Sequence, residues 1–142
     1  MSETDRISLA ALLARLGLGV MFIAHALLKI FVFTVPGTVQ FFQSVGFPGA
    51  LAYVTIAAEL LGGIALILGV YTRAVAIALI PVLLGAASVH FGNGWVFNAP
   101  KGGWEYPVFL VLVAVIVALL PHERFALAGN VARNATGRLA RV

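Results

Sequence analysis

The sequence predicts an all-α membrane protein: a four-transmembrane-helix bundle with both termini cytoplasmic and a short outer interfacial helix between the first two spans. Three observations predict it. Of the 142 residues, 62% are hydrophobic and only 10% charged, where a soluble domain carries about 25% charged residues. So few polar side chains cannot cover a water-facing surface. The apolar residues fall into four runs, and arginines cluster on one side of them.

The first run extends from near Ile7 to Phe33. Glu3 and Asp5 precede it, Lys29 interrupts it and no small-x-small cleavage site follows, so a retained span is expected rather than a signal peptide. Next comes "TVPGTVQFFQSVGFPG", with Val39, Phe42 and Val45 at helical spacing. This is the candidate surface helix. The second span covers Ala50 to Val70, with Pro48 in its first turn. "GVYTRA" makes a tight hairpin into the third, Ala74 to Phe91, where Pro81 should kink the helix unless neighbours satisfy the freed carbonyl. The loop "FGNGWVFNAPKGGWEYP" offers glycines for irregular backbone and Trp95, Trp104 and Tyr106 for an interface. The fourth span, Trp104 to Leu120, is the shortest. Ala57, Leu61, Ala65 and Gly69 recur every four residues, as do Ala74, Ala78, Val82 and Ala86. Such small faces let helix backbones approach in lipid.

Arg6, Arg73, Arg124, Arg133, Arg138 and Arg141 fall on one side of the spans, against Lys101 and the nearby Lys29 on the other. The positive-inside rule puts both termini in the cytoplasm, and an even number of spans agrees. Residues 1–121 would form the bundle and 122–142 a basic cytoplasmic tail. The net charge of +4 then meets lipid headgroups rather than nucleic acid. No cysteine is present, which excludes disulfides, thiolate metal sites and dithiol redox chemistry by this chain.

Function is expected where polar groups enter the apolar runs. In "GVMFIAHALLKIFVF", His25 and Lys29 stand at i and i+4 on one helical face. Arg15 lies lower on the same span, and Glu59, His90 and Glu105 add one titratable or charged group from each of the other three. An unpaired charge at the bilayer centre costs at least ~2.5–3.5 kcal/mol, so these groups should meet inside the bundle. Arg15 is the expected partner of Glu59, although both Arg15 and Lys29 have side chains long enough to reach headgroups instead. Glu59, in "AAELLGGIAL", is too short to reach either surface.

Several stretches together resemble the DoxX family of small bacterial membrane proteins. They are "RLGLGVMFIAHALLKI", "VGFPG", "ELLGGIALILGVYTR", "HFGNG" and "GGWEYP", in order from Arg15 to Leu120. The resemblance implies a four-helix inner-membrane protein associated with redox chemistry. Some relatives resemble the membrane subunit of thiosulfate:quinone oxidoreductases, others accompany thiol- or oxidant-handling enzymes, and many have no established activity. By position, Arg15, Lys29, Glu59, Arg73, His90 and Glu105 match the family's recurrent polar positions. His25 departs from it, since relatives often have glycine there.

The favoured expectation is a redox-associated component that binds a quinone or other small lipophilic molecule in an intramembrane polar pocket. Phe22, Gly63, Trp104 and Phe109 would line it, and His25, His90, Glu59 or Glu105 would exchange protons. Haem between His25 and His90, or a nitrogen–oxygen metal site including Glu59 and Glu105, stays open without a close-spaced ligand motif. So do a small-solute or proton permease, working alone or as a homo-oligomer, and a scaffold docking a soluble oxidoreductase through the basic tail.

Overall fold

The computed structural model describes residues 1–121 and 125–126. Of the basic tail only Phe125 and Ala126 are described, and Arg124, Arg133, Arg138 and Arg141 lie outside the described residues. The described residues are helical without strands. Helix α1 runs Glu3–Leu27 and continues into a π-helical turn, Leu28–Val32. Helices α2 (Val35–Ser44), α3 (Ala50–Leu68), α4 (Thr72–His90) and α5 (Glu105–Leu119) follow, with a 3₁₀ turn at Phe91–Asn93.

Local chemistry sets the ends. Ser2 and Asp5 form a reciprocal capping box on α1: Ser2 Oγ accepts from the Asp5 amide at 3.1 Å, and Asp5 Oδ2 from the Ser2 amide at 3.0 Å. Gly69 ends α3 in the left-handed conformation at φ 72°, and the Val70 amide donates back to Ala65 O at 2.9 Å. Glycine adopts that φ without the Cβ penalty. Helix α4 runs unbroken through Pro81, and Pro48 precedes α3 by two residues.

Three helical segments are long and apolar enough to cross a membrane: Glu3–Val32, Ala50–Leu68 and Thr72–Asn93. Helix α5 is equally apolar but has 15 residues, about 22 Å at 1.5 Å per residue. The outward faces carry Leu13, Phe31, Leu61, Phe109 and Leu119, all more than half exposed. Apolar patches of that extent belong against lipid or protein, not water.

Helix α1 packs chiefly on α3 and α4 chiefly on α5, with thinner seams between α3 and α4 and between α1 and α5. One apolar core joins them, containing Leu18 and Phe22 of α1, Leu66 of α3, Leu79 and Leu83 of α4, and Leu110 and Val117 of α5. Helix α2 lies against α3 and the π turn.

The small-residue faces differ from expectation. Ala57, Leu61, Ala74, Ala78 and Ala86 are exposed. The closest approach instead joins Gly19 to Gly63, where a Cβ on Gly63 would stand 2.8 Å from Gly19 O. Any side chain there would force α1 and α3 apart. The buried face of α3 is Ala52, Ile56, Glu59, Gly63 and Leu66, a 3-4 stripe offset from the strict fourfold repeat.

Candidate functional site

The Gly19–Gly63 contact fixes the register of two antiparallel helices and so decides which polar groups can meet. Counted from that level at 1.5 Å per residue, Lys29 stands roughly 15 Å toward the C-terminal end of α1, and Glu59 roughly 6 Å in the same direction. Lys29 could extend beyond its helix end. It turns back instead, and its Nζ donates to both carboxylate oxygens of Glu59, at 2.9 and 2.8 Å. The two side chains are 18% and 7% exposed.

The π turn carries Lys29. Such turns shift the following side chains off the regular helical stripe and recur at functional sites. Thr38 braces it: this buried hydroxyl lies 3.1 Å from Lys29 O and 2.9 Å from Thr34 O. Thr34, between the π turn and α2, has φ 62° and ψ 155°. That backbone region is nearly reserved for glycine, and non-glycine residues hold it at a cost of about 1–3 kcal/mol. Thr34 also caps α2, its Oγ1 accepting from the Gly37 amide at 3.2 Å.

His25 lies within electrostatic range of Glu59. Its Nδ1 is 3.0 Å from Met21 O, one turn earlier, and its ring stacks on Tyr106 of α5 with centroids 6.2 Å apart and planes at 26°. The structure thus joins Glu59 to Lys29 and leaves His25 within electrostatic range of Glu59, with its ring stacked on Tyr106. Sequence reasoning assigned Tyr106 only to an interface and did not single out Thr38. Their placement depends on the register of α5 against α1 and on the fold-back of α2, which no local motif encodes.

Arg15 does not pair with Glu59. It lies about 6 Å on the other side of the Gly19–Gly63 level, and it is 2% exposed, so it does not reach headgroups either. Its guanidinium donates to Leu66 O at 3.0 Å, Ile67 O at 3.2 Å and Phe125 O at 3.1 Å. Leu66 and Ile67 lie in the last turn of α3, where carbonyls run short of i+4 donors and the helix dipole is negative; Leu66 O also accepts from the Gly69 amide at 3.2 Å. Arg15 is thus a cap on α3 that also ties down the segment after α5.

His90 and Glu105 belong to the 91–104 loop rather than to the Glu59 cluster. His90 Nδ1 is 3.1 Å from Lys101 O. Glu105 Oε1 accepts from the Phe97 amide at 2.9 Å, while Asn93 donates to Lys101 O and Gly102 O at 3.2 and 3.0 Å. Trp104 stacks on Phe91, centroids 4.9 Å apart, and meets Trp95 edge-on at 4.4 Å. The loop is a knitted cap in which each of these groups has a structural partner. Phe109 is 59% exposed, and Phe22 is packed in the common core. Of the expected lining residues, Gly63 shares the buried face of α3 with Glu59, one turn away. Among the described residues no three His, Asp or Glu side chains converge as metal ligands.

The arrangement can do limited but definite chemistry. A lysine ammonium has three donors and a carboxylate several acceptor sites, so the pair retains hydrogen-bonding capacity for a carbonyl or hydroxyl arriving beside it. His25 adds ring nitrogens that can donate or accept hydrogen bonds.

Comparison with known proteins agrees with a membrane setting. The DoxX family model matches residues 10–92, a stretch that holds Arg15, His25, Lys29, Glu59 and His90. A Bacillus subtilis (strain 168) protein named "Putative oxidoreductase CatD" is 34% identical over 120 residues, covering 84% of this chain and 84% of that protein. No solved structure matches significantly.

Proposed function

The chain belongs to the DoxX family of multi-pass membrane proteins, and from that premise we propose that it is a redox-associated membrane component binding a quinone or similar small lipophilic carbonyl compound beside the Lys29–Glu59 pair. In this reading α1, α3, α4 and α5 all span a bacterial inner membrane, with α5 as the short fourth span. Both termini are cytoplasmic, and α2 and the 91–104 loop lie at the outer face.

The observation that carries the proposal is the inward turn of Lys29. A buried ion pair is weak as a source of stability, because desolvation offsets most of the attraction and apolar replacements are often neutral. An intramembrane pair that one partner could have avoided is better understood as a site. Lys29 then offers an N–H donor to a ligand carbonyl, Glu59 holds the ammonium in place through both carboxylate oxygens, and His25 presents its ring nearby. The bound quinone supplies the electron chemistry; this chain supplies binding, orientation and proton partners. The relative's oxidoreductase name supports a redox setting. A soluble redox partner at the basic tail and assembly as a homo-oligomer are further parts of the proposal, the latter supported by the exposed Ala74, Ala78 and Ala86 of α4.

The test is organic extraction of protein purified in mild detergent. Wild type should carry near-stoichiometric quinone, and the Lys29→Met/Glu59→Met protein should carry only the background level of the detergent. Equal amounts in both would refute the assignment.

A further inference from the structure

The 91–104 loop spends its polar groups on itself and turns apolar ones outward. Trp95, Val96 and Phe97 are 52%, 48% and 66% exposed, yet the backbone that carries them is tightly held. The Glu105 amide donates to Trp95 O at 3.0 Å, the Ala99 amide to Val96 O at 3.0 Å, and the Phe97 amide to Glu105 Oε1 at 2.9 Å. Gly103 packs against this stretch, where a Cβ would run into the Val96 carbonyl. An exposed apolar tip on a fixed, hydrogen-bonded backbone is ill suited to water and well suited to a less polar medium.

Lys101 follows, on a tight turn closed by the Gly102 amide on Ala99 O at 2.7 Å. It is exposed and holds φ 69°, a left-handed conformation that few non-glycine residues adopt. Its carbonyl is pinned: it lies 3.1 Å from His90 Nδ1 and accepts from Asn93 Nδ2 at 3.2 Å. Side chains from the end of α4 thus fix the backbone that carries this cation.

Continuity identifies what covers the tip. Thr72–Asn93 is long and apolar enough to cross a membrane, and Trp95 stands just beyond it. Phe91, inside that segment and 57% exposed, stacks on Trp104, which Trp95 meets edge-on. The apolar surface of α4 therefore continues through these rings into the loop. We propose that the loop is a preformed lipid anchor: Trp95, Val96 and Phe97 enter the leaflet at this end of the bundle, and Lys101 meets the phosphate of an anionic phospholipid. Aromatic rings and lysine at the end of an apolar span are the composition that a membrane interface favours. His90, Asn93 and Glu105 serve as positioning residues for the anchor, and nothing in it depends on the Lys29–Glu59 pair.

Trp95 and Trp104 are the two tryptophans of the chain, so intrinsic fluorescence reads this loop directly. The full chain is placed in lipid nanodiscs, as wild type and as Trp104→Phe, which isolates Trp95. Phosphatidylcholine brominated in the upper acyl chain should remove most of the emission from both proteins, and aqueous iodide should remove little. Quenching by iodide that exceeds quenching by lipid would overturn the anchor. So would protection from both, which would mean that protein covers the tip. A minor fraction of brominated phosphatidylglycerol should quench wild type roughly fivefold more steeply than the same fraction of brominated phosphatidylcholine, the worth of one lysine at an anionic surface. Lys101→Gln should erase that preference. An equal response of wild type to the two lipids, or a preference that survives Lys101→Gln, would overturn the phosphate contact.

Discussion

A lysine near a helix end in lipid ordinarily extends toward water, and Lys29 does the opposite. The direction of this one side chain is what the proposed site rests on. Removing one partner of a buried pair leaves the other charge unsatisfied, a loss of about 3–5 kcal/mol. Thermal unfolding in detergent should thus show Lys29→Met and Glu59→Gln each strongly destabilised. The double replacement Lys29→Met/Glu59→Met should recover most of that loss, because it removes both charges and keeps the volume. Non-additivity of this kind would establish the contact in the membrane; two independent, additive losses would deny it. At Arg15 the expectation is different. Arg15→Met removes the guanidinium that donates to the Leu66, Ile67 and Phe125 carbonyls, and losing such a buried cap costs about 1–3 kcal/mol. It should free the segment after α5 for proteolysis while leaving ligand affinity unchanged. An Arg15→Met protein whose tail stays protected would contradict the capping role. The sequence made these polar residues visible, since charges stand out in apolar runs. It could not pair them, because Arg15 and Lys29 are both within a few turns of Glu59 until the helix register is known.

That register belongs to the scale of elements, and two glycines set it. A Cβ at Gly63 would meet the Gly19 carbonyl and Ile23, so Gly63→Val should separate α1 from α3. Overpacking of this kind costs typically about 1–3 kcal/mol. Here it should also pull Lys29 from Glu59, so the variant should lose ligand binding along with stability. Gly17→Val should do neither, because nothing lies within 4 Å of a Cβ at that position. The comparison is made by unfolding and binding on the same preparations. The element positions were legible in the sequence: Ala50–Leu68 and Thr72–His90 fall within two residues of the expected spans, because hydrophobic runs with glycine and proline at their ends leave little freedom. The interhelical contact was not. The "LGLG" and "GG" stretches offer several candidate faces, and of the strict fourfold repeat Ala57 and Leu61 are exposed, Ala65 is half-buried and Gly69 is buried. The π turn and the fold-back of α2 were also hidden, because both depend on Thr34 and Thr38, ordinary residues whose roles arise only from tertiary contact.

At the scale of the whole molecule, the proposed orientation puts the arginine-rich ends inside and the hydrogen-bonded 91–104 loop outside. Single cysteines in this cysteine-free chain test the orientation. A membrane-impermeant maleimide applied to sealed, right-side-out cells should label Ser44→Cys and Lys101→Cys and leave Ser2→Cys and Tyr71→Cys unlabelled until lysis. Labelling of Ser44 and Lys101 on opposite sides would mean that the proposed even number of spans is wrong. The fold class was the most legible part, since composition alone excludes a soluble domain. His90, Glu105 and Trp104 were the least, because a loop of glycines can return a polar residue either to the core or to its own backbone. Here the backbone of the loop itself claims them, through Lys101 O and the Phe97 amide. The central claim is that Lys29 and Glu59 bind a ligand rather than merely neutralise each other. Its most direct measurement is the equilibrium binding of a short-chain ubiquinone to nanodisc-embedded protein, wild type against Lys29→Met/Glu59→Met. The account predicts saturable one-to-one binding to wild type above lipid partition, and partition alone for the equally stable double variant. Identical isotherms for the two proteins would contradict it.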